Sequence, residues 1–164
     1  MALVLWSLAA AVWAAGPQLG QPIAPDATPS LVIWPDGRGL PAGEGSVPAG
    51  HTLYARHCLA CHGVDGRDGL NDTLVGGQVG TDQVPAQRTI GSYWPYATSL
   101  YDYIRRAMPY QSPGSLTDEE VYALVAYLLY LNQIIEQDTV LDAERLAEIE
   151  MPNRYRFHSR FELP

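Results

Sequence analysis

The sequence predicts an all-α domain of three to five short helices carrying an extended arm at each end. Apolar residues recur at helical spacing in three segments, near residues 49–58, 98–107 and 117–131. Neither a strand–helix alternation nor an internal repeat is visible. The flanking segments are proline- and glycine-punctuated on one side and acidic and mixed on the other. The expected organisation is a signal peptide over 1–15, an N-terminal arm over 16–46, a folded domain over 47–133 and a C-terminal arm over 134–164.

Met1 to Ala15 form an uncharged apolar run ending in small residues. Val12-Trp13-Ala14 before Ala15-Gly16 resembles a signal-peptidase site, although no basic residue precedes the run. Export to the periplasm is the expectation. A buried N-terminal helix or a membrane anchor competes with it, but the run is short for a span. No other stretch is long and apolar enough to cross a bilayer, so no membrane span is expected in the mature chain.

The arm over 16–46 is broken by Gly16-Pro17, Pro22, Pro25, Pro29, Pro35-Asp36-Gly37 and Pro41-Ala42-Gly43. Leu31-Val32-Ile33-Trp34 is its one apolar patch, suited to docking on the body. The first helix is expected over Ala49 to Cys58, with Leu53, Tyr54 and His57 on one face. Gly50 and Tyr54 are expected to pack against Tyr127, letting two helices cross closely.

Residues 63–97 carry Asp65-Gly66, Asp68-Gly69 and Gly76-Gly77 and predict a long loop, which needs something else to organise it. The next helix spans Thr98 to Ala107, with Leu100, Tyr103, Ile104 and Ala107 on one face, and Pro109 stops it. Thr117-Asp118-Glu119-Glu120 fits a capping box opening the strongest helix, with an apolar run from Val121 to Leu131.

Charge narrows the function. The formal charge is −8, and the basic residues are all Arg. That balance argues against nucleic acid, where basic contacts to phosphate dominate. It suits a protein that meets a basic or mixed-charge partner.

The chemistry lies in Cys58-x-x-Cys61-His62, a signature of c-type haem attachment. Two thiols about one helical turn apart can each add to a vinyl group of one haem, forming thioethers. The adjacent His62 then falls beneath the iron as its proximal ligand. A zinc site needs about four ligands. A thioredoxin-like pair belongs in a βαβ setting. A simple disulfide explains neither His62 nor the glycine-rich loop. One covalent haem c with its iron is therefore the expected cofactor.

The sixth iron ligand should come from well downstream. The candidates are Met108, Met151, His51, His57 and His158. Met108 is favoured, because it ends a helix and is stiffened by Pro109. Met151 lies in the trailing arm, and a core filler is the ordinary role of a methionine. His51 and His57 precede the motif on the first helix. A His62/Met108 pair fills both axial positions, raises the potential and leaves no open site. Tyr93-Trp94-Pro95-Tyr96 are candidates to wall the haem, and Arg105 or Arg106 to pair with a propionate.

Cys58-Leu-Ala-Cys61-His62, a helix ending in Met108-Pro109 and a C-terminal amphipathic helix together resemble a class I cytochrome c domain over residues 47–133. A narrower likeness rests on Pro35-Asp-Gly-Arg-Gly-Leu-Pro41, Thr89 to Ala97, Tyr103 to Pro109, Ser115 to Tyr122 and Met151-Pro-Asn-Arg154. These resemble the cytochrome c subunits of bacterial sulfite dehydrogenase and of the sulfur dehydrogenase in thiosulfate-oxidising systems. The terminal stretch from Tyr155 to Pro164 departs from that pattern.

The resemblance implies a molybdenum-containing sulfite or sulfur dehydrogenase subunit as electron donor, and a downstream cytochrome or oxidase as acceptor. It implies that Cys58 and Cys61 hold the haem while His62 and Met108 bind iron. The chain is then an electron-transfer protein and not itself an enzyme. Two other classes compete: a haem enzyme or gas sensor with a displaceable sixth ligand, and a docking module whose arms wrap the catalytic subunit.

Overall fold

Residues 121 to 129 alternate in no way that would leave one side polar, so the helix they form must be buried on every side. The structure, a computed structural model, describes residues 32–77 and 87–156. It places Asp118–Leu131 as a helix, α5, buried continuously from Val121 to Leu129. The expected capping box is present. The Thr117 hydroxyl accepts from the Glu120 N–H at 3.3 Å, and the Glu120 carboxylate accepts from the Thr117 N–H at 2.9 Å. A cap contributes about 1 kcal/mol, whereas each buried Val or Leu contributes roughly 1.5–3 kcal/mol. Packing, not capping, holds α5 in place.

The other elements gather around it. In chain order these are β1 (Glu44–Ser46), α1 (Val47–His57), α2 (Leu59–His62), a 3-10 turn (Val64–Gly66), α3 (Ile90–Tyr93), α4 (Ala97–Ala107), α5, β2 (Val140–Asp142) and α6 (Ala143–Glu148). Among the described residues, five α-helices fall within 47–133, as expected for this mostly helical fold. Among the described residues no helix is long and apolar enough to cross a membrane.

Helix α1 starts two residues earlier than its apolar spacing predicts, because Ser46 caps it and Pro48 suits its first turn. Its buried side is Val47, Gly50 and Tyr54, with Leu53 and His57 only half-buried. The close crossing with α5 is as expected. A Cβ on Gly50 would overlap the Ala123 carbonyl, and the Tyr54 and Tyr127 rings lie 5.4 Å apart.

Helix α4 differs from expectation in its inner face. Tyr101, not Tyr103, is buried with Leu100 and Ile104. Tyr101 stacks on Tyr122 of α5 with ring centroids 4.5 Å apart, and its hydroxyl lies 3.3 Å from the Asp118 carboxylate. Tyr103 points the other way and packs on Trp94 at 5.6 Å. The helix ends at Met108, whose backbone is extended (φ −119°, ψ 148°) ahead of Pro109. The proline ring disfavours helical geometry in the residue before it.

The glycine-rich stretch is less bare than predicted. The 3-10 turn follows the Cys–His segment, and α3 opens with a capping box between Thr89 and Ser92. Residues 78–86 of that stretch lie outside the described residues.

Both arms, where described, are docked rather than free. Strand β1 pairs antiparallel with β2, with Glu44 opposite Asp142, Gly45 opposite Leu141 and Ser46 opposite Val140. Leu141, Leu146 and Met151 are buried in the core. In the N-terminal arm, the Pro41 carbonyl accepts from the Tyr122 hydroxyl at 2.8 Å. Ile33 packs on the core, while Trp34 stays exposed beneath the Arg38 guanidinium. The expected signal peptide, the first half of the N-terminal arm and His158 lie outside the described residues.

Candidate functional site

Helix α1 delivers the Cys58–His62 segment to the core. Cys58 closes α1 by donating its N–H to the Tyr54 carbonyl at 2.9 Å. Its own carbonyl then accepts from the N–H of Cys61 at 3.1 Å and of His62 at 2.9 Å. The short helix α2 therefore holds both thiols on one turn, each free and half-buried. Burial, helped by the neighbouring Cys61, pushes the Cys58 thiol up to about 11. A reactive or metal-binding cysteine works as thiolate, favoured by an electropositive setting. Cys58 instead lies in a largely buried setting that holds the thiol in its protonated form.

His62 is oriented by the backbone. Its Nδ1 lies 2.9 Å from the Asp72 carbonyl oxygen. A carbonyl can only accept, so Nδ1 is the donor of this bond, and in the neutral ring Nε2 is then the nitrogen with the lone pair. The bond to Asp72 occupies Nδ1 and leaves the distal nitrogen as the one that can ligate a metal. Such an outer hydrogen bond also raises the basicity of the ligating nitrogen.

The loop that supplies Asp72 is laid tightly over α2. Asn71 donates its N–H to the Cys61 carbonyl at 2.9 Å, and Leu74 donates to Gly66 at 2.9 Å. Gly63 has φ 75°, and a Cβ there would overlap the Arg67 carbonyl, so the turn after His62 requires glycine.

Met108 leaves α4 half-buried and packed against the edge of the core. Met151 is only 1% exposed inside the core, so it acts as packing. His51 is exposed, with its ring 5.2 Å from that of Tyr127, and His57 is half-buried at the end of α1. Trp94 is half-buried and, like Met108 and Cys58, packs against the core. The two arginines of α4 already have carboxylate partners. Arg105 Nε lies 2.9 Å from Asp118 Oδ1, and Arg106 pairs with Asp102 one turn before it.

The donor set suits a covalent haem. Two thiols stand one turn apart, an imidazole offers Nε2, and a thioether follows on a separate helix end. Sequence reasoning found these side chains but not the Asp72 carbonyl, a backbone role that no residue type announces. It also missed the Thr89–Ser92 capping box, readable in principle as a Thr three residues before a Ser.

A family model for cytochrome c matches residues 47–132. Among solved structures, the chain is similar to one in the crystal structure of the sulfane dehydrogenase SoxCD from Paracoccus pantotrophus, with 38% identity and a TM-score of 0.74. That match covers 87% of this chain and 72% of the other. No curated protein matches.

Proposed function

This chain belongs to the cytochrome c family, and from that premise we propose that it is a monohaem electron carrier serving a sulfur-oxidising dehydrogenase. The family carries covalent haem c and transfers electrons. When bound, the haem supplies an iron that cycles between ferric and ferrous states. The chain's own residues do the rest. Cys58 and Cys61 fasten the cofactor, and His62 offers Nε2 to the iron. Met108 would supply a sulfur ligand to the iron, which would stabilise the reduced state and leave no coordination position for other ligands.

The observation that carries this reading is the hydrogen bond between His62 Nδ1 and the Asp72 carbonyl. It uses Nδ1 and so supports a ring that offers Nε2 to iron, next to two unpaired thiols at the spacing haem attachment uses. The donor is a molybdenum-containing sulfite or sulfur dehydrogenase subunit, and the acceptor is a downstream cytochrome or oxidase. Likeness to a sulfane dehydrogenase supports the sulfur-linked donor. The N-terminal apolar run supports export and an exchange in the periplasm.

The test is reduction of the purified haem protein by sulfite or thiosulfate-derived substrates, with and without the molybdenum subunit. Haem reduction that needs both substrate and subunit supports the proposal. A haem left oxidised by every such combination removes the sulfur assignment.

A further inference from the structure

The crossing of α1 and α5 contains two hydroxyls that packing does not require. Tyr54 and Tyr127 are both buried, and two phenylalanine rings would fill the same space. Each hydroxyl instead reaches the turn directly after His62. Tyr54 donates to the Gly63 carbonyl at 2.9 Å, and Tyr127 donates to Asp65 Oδ1 at 3.3 Å.

That turn holds three residues in the left-handed region. Gly63, Asp65 and Gly66 have φ of 75°, 54° and 72°. Asp65 is not glycine, and its left-handed conformation is disfavoured unless neighbours hold it. The Tyr127 hydroxyl is one such neighbour. Asp72, six residues after the turn, presents its carbonyl to His62 Nδ1.

The geometry points to Tyr54 and Tyr127 as positioning residues for the proximal imidazole: their hydroxyls anchor the 63–66 turn so that the Asp72 carbonyl stays aligned with His62. The inference rests on His62 ligating the haem iron. A firm Nδ1–H···O=C bond makes the imidazole a stronger donor and favours ferric iron. Loosening the turn weakens that bond and shifts the balance toward ferrous iron.

The test compares Tyr54→Phe and Tyr127→Phe with Tyr122→Phe in the haem-loaded protein. Tyr122 also loses one hydroxyl bond, but to Pro41 in the N-terminal arm, so it controls for lost stability. All three variants should unfold at somewhat lower temperature. Only Tyr54→Phe and Tyr127→Phe should raise the midpoint potential and move the His62 ring resonances in paramagnetic NMR. Potentials and resonances that match wild type and Tyr122→Phe, or a fall in potential, would overturn the inference. If the wild-type protein itself shows no axial imidazole, the ligand assignment fails first, and the positioning role falls with it.

Discussion

Gly50 on α1 lies against Ala123 on α5 so closely that a methyl on Gly50 would overlap the Ala123 carbonyl and stand 2.7 Å from Tyr127 Cβ. The contact is backbone to backbone, so no side chain can swing away to make room. Two opposing effects act on Gly50→Ala. Helix propensity favours the alanine by about 1 kcal/mol, while overpacking costs about 1–3 kcal/mol or more. The net outcome expected is destabilisation, larger for Gly50→Val, read from chemical denaturation midpoints. A Gly50→Ala protein more stable than wild type would contradict the crossing.

The two methionines followed by proline should behave in opposite ways. Met108→Ala is expected to lower the haem potential and open the iron while the thioethers retain the cofactor. Met151→Ala should cost about 2–5 kcal/mol in stability through the cavity it leaves, with potential and spectrum unchanged. Redox titration and thermal unfolding of both variants separate the roles. A changed iron spectrum in Met151→Ala alone would reverse the assignment.

Removing residues 134–164 should cripple folding. It strips β2 from β1 and withdraws Leu141, Leu146 and Met151 from the core. At about 1.5–3 kcal/mol each, those three side chains represent a large part of the roughly 5–15 kcal/mol that stabilises a typical domain. Circular dichroism melts of the truncated chain measure this. Wild-type stability after truncation would mean that the segment serves a partner and not the fold.

Alkali should unfold the protein in a defined window. Burial is the main cause that pushes the Tyr54, Tyr122 and Tyr127 phenols up to about 12, and it pushes Tyr101 higher still. Unfolded tyrosines ionise near pH 10. The folded state therefore favours the neutral phenols, and their contribution is complete below about pH 10 and lost as pH rises through about 12. Melting temperature should fall across that window as tyrosinate absorbance grows. A flat melting temperature there would show these phenols to be accessible.

Some of this was legible in the sequence and some was not, for physical reasons. Thr117, Glu120 and the unbroken apolar run fully specify α5, because cap chemistry and burial agree locally. Cys58, Cys61 and His62 stand out in the sequence because c-type haem attachment uses that spacing. The inner face of α4 was misread, since helical periodicity admits either Tyr101 or Tyr103. Only the Tyr122 ring and Asp118 carboxylate on α5 decide between them. Strands β1 and β2 are three residues each, too short for an alternation pattern to register. The C-terminal segment reads as an acidic, mixed arm because charged residues interrupt its apolar ones, although Leu141, Leu146 and Met151 all turn inward. The Asp72 carbonyl leaves no trace in sequence, because any residue could supply it.

The central claim is that His62 and Met108 close a covalently held haem iron for one-electron transfer. The most direct measurement is the optical spectrum of the purified haem protein, oxidised and reduced, with and without an added small ligand such as nitric oxide. The expected result is a low-spin iron with the weak sulfur-to-iron charge-transfer band when oxidised, and no ligand binding in either state. A high-spin spectrum, or ready ligand binding at the sixth position, would contradict it and identify a haem enzyme or sensor instead.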